Sequence, residues 1–205
     1  MFERQERLAH ALSRRLGWVS CALEAVHHRH NVSAVLRTCE SMGIQRVDLV
    51  QGHFQPARGP TKGAERWIDI ERHDSADEAV ARIRSAGFSI WVADLADPAV
   101  SPETVPLDRP ICLWFGAELV GVSPVARAAA DGVITIPMHG LSQSLNVSVA
   151  AALAIRPVAE RARLELGERA LLDPHQRERV WAEWMSREEA TKTGASNRVQ
   201  AQRGE

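Results

Sequence analysis

A chain of 205 residues with 45% hydrophobic and 25% charged residues can bury one sizeable core, which excludes a wholly disordered protein. Its three cysteines are scattered and form no CxxC, which argues against a disulfide framework and a zinc site. No stretch reaches the roughly 20 consecutive apolar residues of a membrane helix, and the N-terminus lacks the apolar region of a secretory signal. We therefore expect a cytoplasmic protein without a membrane segment or a metal ion.

The net charge of −1 conceals an uneven distribution along the chain. Residues 1–37 contain six arginines and three glutamates, which gives +3. Residues 38–154 contain nine basic and fourteen acidic residues (−5), and residues 155–205 contain ten basic and nine acidic residues (+1). Contact with RNA would therefore depend on local arginines near the N-terminus rather than on a general basic surface.

The first half of the chain alternates helical and extended patterns. Apolar residues recur at near-helical spacing through 2–16, which predicts an N-terminal helix. An apolar run at 19–26 predicts a strand, and Asn31 is a candidate N-cap for a helix over 32–42 that ends at Gly43. The next predicted elements are a strand at 46–51, a glycine- and proline-rich loop at 52–64, a strand or strand edge at 66–73, and a helix at 75–87 capped by Ser75.

The second half repeats the alternation. Its predicted elements are strands at 88–95, 111–116 and 133–138, helices at 125–130, 147–160 and 175–190, and a polar, frayed tail. Pro157 is expected to kink the apolar helix or to mark its continuation. The amphipathic helix at 175–190 is expected to dock on the core or on a second subunit. Alternating strands and helices predict an α/β fold, a parallel sheet with helices on both faces.

Three segments join strand ends to residues that can carry chemistry. In NVSAVLRT (31–38), Arg37 lies among apolar neighbours, which predicts a buried or cleft guanidinium with an anionic partner, either a structural salt bridge or a ligand. In LWFGAELVGVS (113–123), two glycines bound a turn that matches neither a P-loop nor a dinucleotide motif, and Glu118 either caps the next helix or faces a positive ligand. In IPMHGLSQSLNVSVAAALA (136–154), Asn146 or Ser144 is an N-cap, or the loop forms a nucleoside pocket.

In this order and spacing, the three motifs resemble those of the TrmH family of the SPOUT superfamily, and the resemblance covers nearly the whole chain. It implies a SPOUT fold with a C-terminal deep trefoil knot, S-adenosylmethionine as cofactor, and a homodimer whose active sites are completed near the subunit interface. It also implies an N-terminal helical extension at 1–18 that contacts tRNA, a methyltransferase domain at 19–160 with the knot in roughly 110–160, and a C-terminal helical extension at 161–205.

The same resemblance implies roles for individual residues. Catalytic roles fall on Arg37, Asn31 and Glu118. RNA contacts fall on Arg14, Arg15 and Arg37. The implied cofactor contacts lie at strand ends and in the third motif, and they are Asp94, Leu95, Gly116, Ile136, Leu141, Ser144, Leu145 and Asn146. Asp94 departs from the family pattern, because relatives often have threonine there.

The two terminal extensions narrow the expected substrate. D-loop tRNA methyltransferases have both, which favours methylation of the ribose 2′-OH of guanosine 18 in tRNA. Arginine is a poor base because its pKa lies above about 12, so we expect Arg37 to contact an RNA phosphate and the 2′-oxygen together. Two alternatives stay open: a 2′-O-methyltransferase for another tRNA or rRNA site, and a non-catalytic RNA-binding protein of the same fold. Arginines in the extensions argue against a small-molecule methyltransferase.

Overall fold

A single six-stranded sheet organises the computed structural model, which describes residues 2–51, 63–117 and 120–202. All five strand pairings are parallel, and the strand order is β3-β2-β1-β5-β4-β6. The strands are β1 (Val19–Glu24), β2 (Arg46–Val50), β3 (Asp69–His73), β4 (Ser89–Ala93), β5 (Ile111–Phe115) and β6 (Gly132–Ile134). The predicted α/β class is thereby confirmed.

In the described ranges, six α-helices surround the sheet, together with two short 3₁₀ helices at Ala64–Arg66 and Gly167–Ala170. The α-helices are α1 (Phe2–Leu12), α2 (Arg29–Ser41), α3 (Ala76–Ser85), α4 (Pro124–Ala128), α5 (Val147–Leu166) and α6 (Pro174–Gln202). Helices α2 and α5 pack on the face that includes Cys21 and Leu23, whereas α3 and α4 pack on the face that includes Ala22. Because successive strand residues point to opposite faces, this division follows from the alternation along β1.

Continuous burial of the two central strands explains their sequences. Every residue of β1 and β5 is buried, as expected for strands covered by helices on both faces. The edge strand β3 buries only His73, and its sequence is correspondingly polar. The core is therefore centred on β1 and β5. The loops that follow these strands begin at their buried carboxyl ends.

The terminal helices pack on each other and on the domain. Leu12 of α1 and Val180 and Trp184 of α6 form a small buried cluster with Leu172. Trp67 meets Trp184 edge to face, with ring centroids 5.4 Å apart. The amphipathic face of α6 therefore docks on its own chain, which decides between the two expectations for this helix.

Several expected boundaries differ from the structure. Helix α2 begins at Arg29 after His28, so Asn31 lies in its first turn and is not its N-cap. Strands β4 and β6 are shorter than expected, since the chain leaves the sheet after Ala93 and Ile134 to form loops. Ser75 caps α3 as predicted, with its hydroxyl accepting the Glu78 N–H.

The C-terminal part also departs from the expected boundaries. Helix α6 continues to Gln202, through the segment expected to be a frayed tail. Helix α5 runs through Pro157 to Leu166, so the expected domain boundary at residue 160 falls inside one helix. The predicted loop at 52–64 lies almost wholly outside the described residues, and the trefoil knot stays a prediction. Within the described ranges, no helix is long and apolar enough to cross a membrane.

Candidate active site

A cleft of about 210 Å³ lies where β4, β5 and β6 end and α5 begins. Ligand sites of open parallel sheets lie at this carboxyl edge. Its walls include the apolar side chains of Phe115, Ile134 and Met138. Six of the eight residues expected to contact the cofactor also line it, and they are Asp94, Leu95, Gly116, Ile136, Ser144 and Leu145. The fold thus brings three separate sequence segments to one place.

The other two expected cofactor residues lie outside the cleft wall. Leu141 is fully exposed to solvent. Asn146 is the N-cap of α5: its Oδ1 accepts the Ser148 N–H at 2.9 Å, while its Nδ2 donates to Asn31 Oδ1 at 3.1 Å. The capping alternative for Asn146 is therefore realised, and its second bond ties the start of α5 to the start of α2.

The main chain of the third motif is open to a ligand. No main-chain hydrogen bond joins residues 136–145 to other described residues. Ile136, Met138 and Leu145 are half-buried, whereas the rest of this loop is exposed to solvent. Its main-chain groups beside the apolar cleft can therefore exchange water for a flat, polar ligand.

Gly116, Ala117 and Gly121 also line the cleft. Gly121 has φ +71° and its N–H donates to Ala117 O at 2.7 Å. A Cβ on Gly116 would lie 2.1 Å from Gly121 O, so only glycine fits at position 116. Glu118 lies outside the described residues, and its expected role stays a prediction.

The buried carboxylate of Glu24 supports this turn, a role that was not predicted from the sequence. It ends β1 with 2% exposure, and its Oε2 accepts hydrogen bonds from Trp114 Nε1 (2.9 Å) and Ser123 N–H (3.0 Å). The available signal was an acidic residue at the end of the mostly apolar run 19–24, since a buried carboxylate requires donors.

Asp94 lines the cleft, and the charge of its carboxylate is compensated by an arginine. Its carboxylate accepts the Leu95 N–H at 2.7 Å and forms an ion pair with Arg127 of α4. Because Arg127 neutralises it, Asp94 does not impose a net negative charge on the cleft.

Arg37 is exposed, which contradicts the expectation of a buried or cleft guanidinium. Helix α2 buries the face that carries Val32, Val35, Leu36 and Cys39, and position 37 lies on the opposite face. No described residue forms an ion pair or hydrogen bond with its side chain, so the structural salt bridge is not observed either. Arg37 also does not line the cleft of its own chain.

Arg15 contradicts the expected RNA contact. It is 2% exposed, donates to Glu40 Oε1 at 2.8 Å, and lies over the Trp184 ring at 5.0 Å. Burial lowers the pKa of its guanidinium, and Glu40 partly offsets this effect. Arg15 therefore joins α1, α2 and α6, whereas Arg14 is exposed as an RNA contact requires.

A cluster of Asp48, Glu71 and His73 has atoms close enough to hold a metal ion. Arg46 already donates to Asp48 at 2.8 Å and to Glu71 at 3.3 Å, and His73 Nε2 lies 2.8 Å from Asp48 Oδ1. A guanidinium therefore balances the acidic charge, and we assign no metal to this cluster.

Comparison with known proteins identifies the family. A profile of the SpoU rRNA Methylase family matches residues 19–156. The chain belongs to this family. The matched SpoU segment begins with β1 and ends within α5, so it contains every described residue that lines the cleft.

Individual proteins are similar to this chain over most of its length. A tRNA (guanosine(18)-2′-O)-methyltransferase of Thermus thermophilus is 38% identical over 186 residues, which cover 89% of this chain and 95% of that protein. The crystal structure of the A. aeolicus TrmH/SpoU tRNA modifying enzyme has a TM-score of 0.79 at 29% identity and covers 91% of this chain and 97% of that one. An AdoMet-bound rRNA methyltransferase of Sinorhizobium meliloti has a TM-score of 0.63 at 25% identity, covering 74% and 58%.

Proposed function

We propose that this protein transfers a methyl group from S-adenosylmethionine to the ribose 2′-OH of guanosine 18 in tRNA. The observation that carries the proposal is the convergence of Asp94, Leu95, Gly116, Ile136, Ser144 and Leu145 on one cleft. The Thermus relative, whose name states this activity, matches nearly the full length of the chain and supports the choice of substrate.

The cleft suits an adenosine-containing cofactor. Its apolar wall matches a purine face, and the main-chain groups of 136–145, which bond no other residue that the structure describes, suit the purine edge. The AdoMet-bound relative has the same fold and supports this assignment. When bound, S-adenosylmethionine supplies an electrophilic methyl group on a sulfonium. The residues Leu95, Ile136 and Leu145 would hold the nucleoside and exclude water from the reacting atoms.

The protein must align the 2′-oxygen with the methyl carbon and help the hydroxyl lose its proton. The new O–C bond replaces the C–S bond, whose electron pair stays on sulfur, and the proton passes to a phosphate oxygen or water. We assign Arg37 the role of binding an RNA phosphate and stabilising negative charge on the 2′-oxygen. Its guanidinium is exposed and has no ion pair or hydrogen bond with the described part of the chain, which leaves its donors available for that task.

A homodimer would bring Arg37 to a cleft. Arg37 does not line the cleft of its own chain, so we propose that two subunits complete each site together. Exposed apolar side chains beside the cleft support an interface there: Leu141 is fully exposed, and Val149 and Leu153 of α5 are about half exposed at i, i+4 spacing. Sedimentation of the native protein should give a dimer, and Val149→Glu with Leu153→Glu should give a monomer without activity.

The deciding experiment for the function is incubation of the protein with labelled S-adenosylmethionine and an unmodified tRNA transcript, followed by nucleoside mapping. We expect label only at the 2′-O-methylated guanosine 18, and none on a transcript with 2′-deoxyguanosine at that position. Label at another ribose would show that the methylated nucleotide differs from guanosine 18 while the reaction is the same. Binding of tRNA without any label would favour a non-catalytic RNA-binding protein of the same fold. In either case, we propose that the protein is cytoplasmic.

A further inference from the structure

The wall of the cleft contains a charged side chain. Among the described residues that line the cleft, Asp94 alone is charged, and the others are apolar residues, glycines and a serine. Asp94 follows β4, and its main-chain N–H donates to Ile134 O at 3.0 Å, so the ends of β4 and β6 fix its position. An apolar wall screens a charge less than water does, so the state of this carboxylate decides the electrostatic potential inside the cleft.

Arg127 supplies the opposite charge from outside the cleft. It lies in the last turn of α4 and does not itself line the cleft. Its guanidinium forms an ion pair with Asp94 Oδ2, while Asp94 Oδ1 accepts the Leu95 N–H at 2.7 Å. Because Oδ2 is buried, this pair is less screened than an ordinary pair at the surface.

A structural role explains only part of this arrangement. The ion pair joins α4 to the end of β4, and a purely structural connection would affect every ligand of the cleft alike. The charges add a distinction between two ligands, because S-adenosylmethionine has a sulfonium where S-adenosylhomocysteine has a neutral thioether. A carboxylate without its counter-charge would favour the sulfonium, whereas the charges of an intact pair largely cancel at a distance.

This distinction affects the reaction, because the positive charge on sulfur is lost during methyl transfer. The methyl carbon bonds to the 2′-oxygen, the electron pair of the C–S bond stays on sulfur, and the hydroxyl proton passes to a phosphate oxygen or water. A negative charge in the cleft wall would therefore stabilise the bound methyl donor more than the transition state. Binding would become tighter and the transfer slower.

We propose that Arg127 balances the charge of Asp94, so that the cleft binds the methyl donor without over-stabilising its sulfonium. The inference rests on the proposed function, because it concerns the cofactor and the methyl transfer assigned to this cleft. Arg127 acts through Asp94 and is a positioning residue, not a catalytic one.

The test compares the affinities of S-adenosylmethionine and S-adenosylhomocysteine, measured by calorimetry at low salt. In Arg127→Gln, the ratio of the two affinities should shift towards S-adenosylmethionine by about tenfold, as for unit charges roughly 10 Å apart at an effective dielectric constant of about 25. Asp94→Asn keeps an oxygen for the Leu95 N–H but leaves Arg127 uncompensated, so the ratio should shift the other way. The double variant should regain the native ratio, because neither charge remains.

The matched control is Arg109→Gln. Arg109 is 51% exposed where Arg127 is 44% exposed, and it also pairs with an aspartate, Asp131, but neither residue of that pair lines the cleft. This variant should keep the native ratio, and so should Arg127→Lys, which retains the charge. In a single turnover at saturating cofactor and tRNA, Arg127→Gln should be about threefold or more slower although it binds S-adenosylmethionine more tightly.

Equal changes in the two affinities, in Arg127→Gln and in Asp94→Asn alike, would overturn the inference, because a structural connection alone acts on both ligands. If Arg127→Gln does not fold, the ratio in Asp94→Asn decides. A native protein that binds neither ligand would refute the proposed function and this inference together. Methyl transfer by the native protein, with unshifted ratios in the variants, would refute the inference and leave the proposed function intact.

Discussion

Where α1 and α6 meet, charged groups are paired, whereas the cleft at the carboxyl edge keeps much of its main chain unpaired. Arg4 donates to Glu188 at 2.8 Å and Arg15 donates to Glu40 at the same distance. Residues 136–145, by contrast, have no main-chain hydrogen bond to other described residues. The contrast separates a region whose charged groups are paired within the chain from a mostly exposed loop whose main-chain groups are available to a ligand.

The largest expected effect lies in the paired region. Trp184→Ala removes a side chain that is 1% exposed and contacts Trp67, and should lower the free energy of unfolding by about 3–5 kcal/mol. Urea denaturation measures this loss. The exposed Arg177→Ala on the same helix should stay within about 0.5 kcal/mol. Cofactor affinity of the folded Trp184→Ala protein should be native, and a parallel loss of affinity would remove the separation between the two regions.

In the catalytic region, a comparably large effect should appear only in the rate of methyl transfer. Arg37→Ala should reduce kcat/KM about 100-fold or more, because the charge on the 2′-oxygen loses its stabilising donor. Stability, cofactor affinity and sedimentation should be unchanged, since Arg37 is exposed and unpaired in the described structure. Arg37→Lys, which keeps the charge but loses the fork, should recover only part of the rate. Native turnover by Arg37→Ala would refute the catalytic assignment.

A change at Glu24 should affect both the stability of the protein and its binding of the cofactor, because Glu24 is a buried support of the cleft wall. Glu24→Leu leaves the Trp114 Nε1–H and the Ser123 N–H without an acceptor, which should cost about 1–3 kcal/mol and weaken cofactor binding. Glu24→Gln retains an acceptor oxygen and should lose less of both. Equal losses in the two variants, measured by denaturation and cofactor titration, would show that the carboxylate does not act through these bonds.

The smallest expected effect is at the start of α5. Asn146→Ala removes the cap of α5 and the link to Asn31, and should cost about 1 kcal/mol. Asn31→Ala removes the link but keeps the cap, so its loss should be smaller. Thermal unfolding of the two variants gives the comparison, and a larger loss for Asn31→Ala would assign the stability to the link.

Apolar periodicity, together with capping and turn residues, was sufficient to predict the layers of the fold. Apolar runs predicted β1 and β5, and serine and glycine signals predicted the limits of α3. The cleft wall was predictable too, because carboxyl ends of parallel strands converge. The buried or cleft position expected for Arg37 was wrong because it rested on neighbours in sequence and not on their spacing around the helix. The RNA contact of Arg15 was implied by the family resemblance, and the burial of its side chain argues against it. Position 37 lies on the exposed face, and Arg15 follows the end of α1 and turns inward to Glu40.

The pairing of α1 with α6 has a consequence for biosynthesis. Arg4 and Glu188 are 184 positions apart, so the first helix leaves the ribosome long before its partner exists. Leu8, Ala11 and Leu12 then remain uncovered while the sheet assembles behind them. The nascent chain therefore exposes the apolar face of α1 until the last helix is translated. Ribosome-bound chains truncated before α6 should be protease-sensitive at α1, and full-length released chains should not.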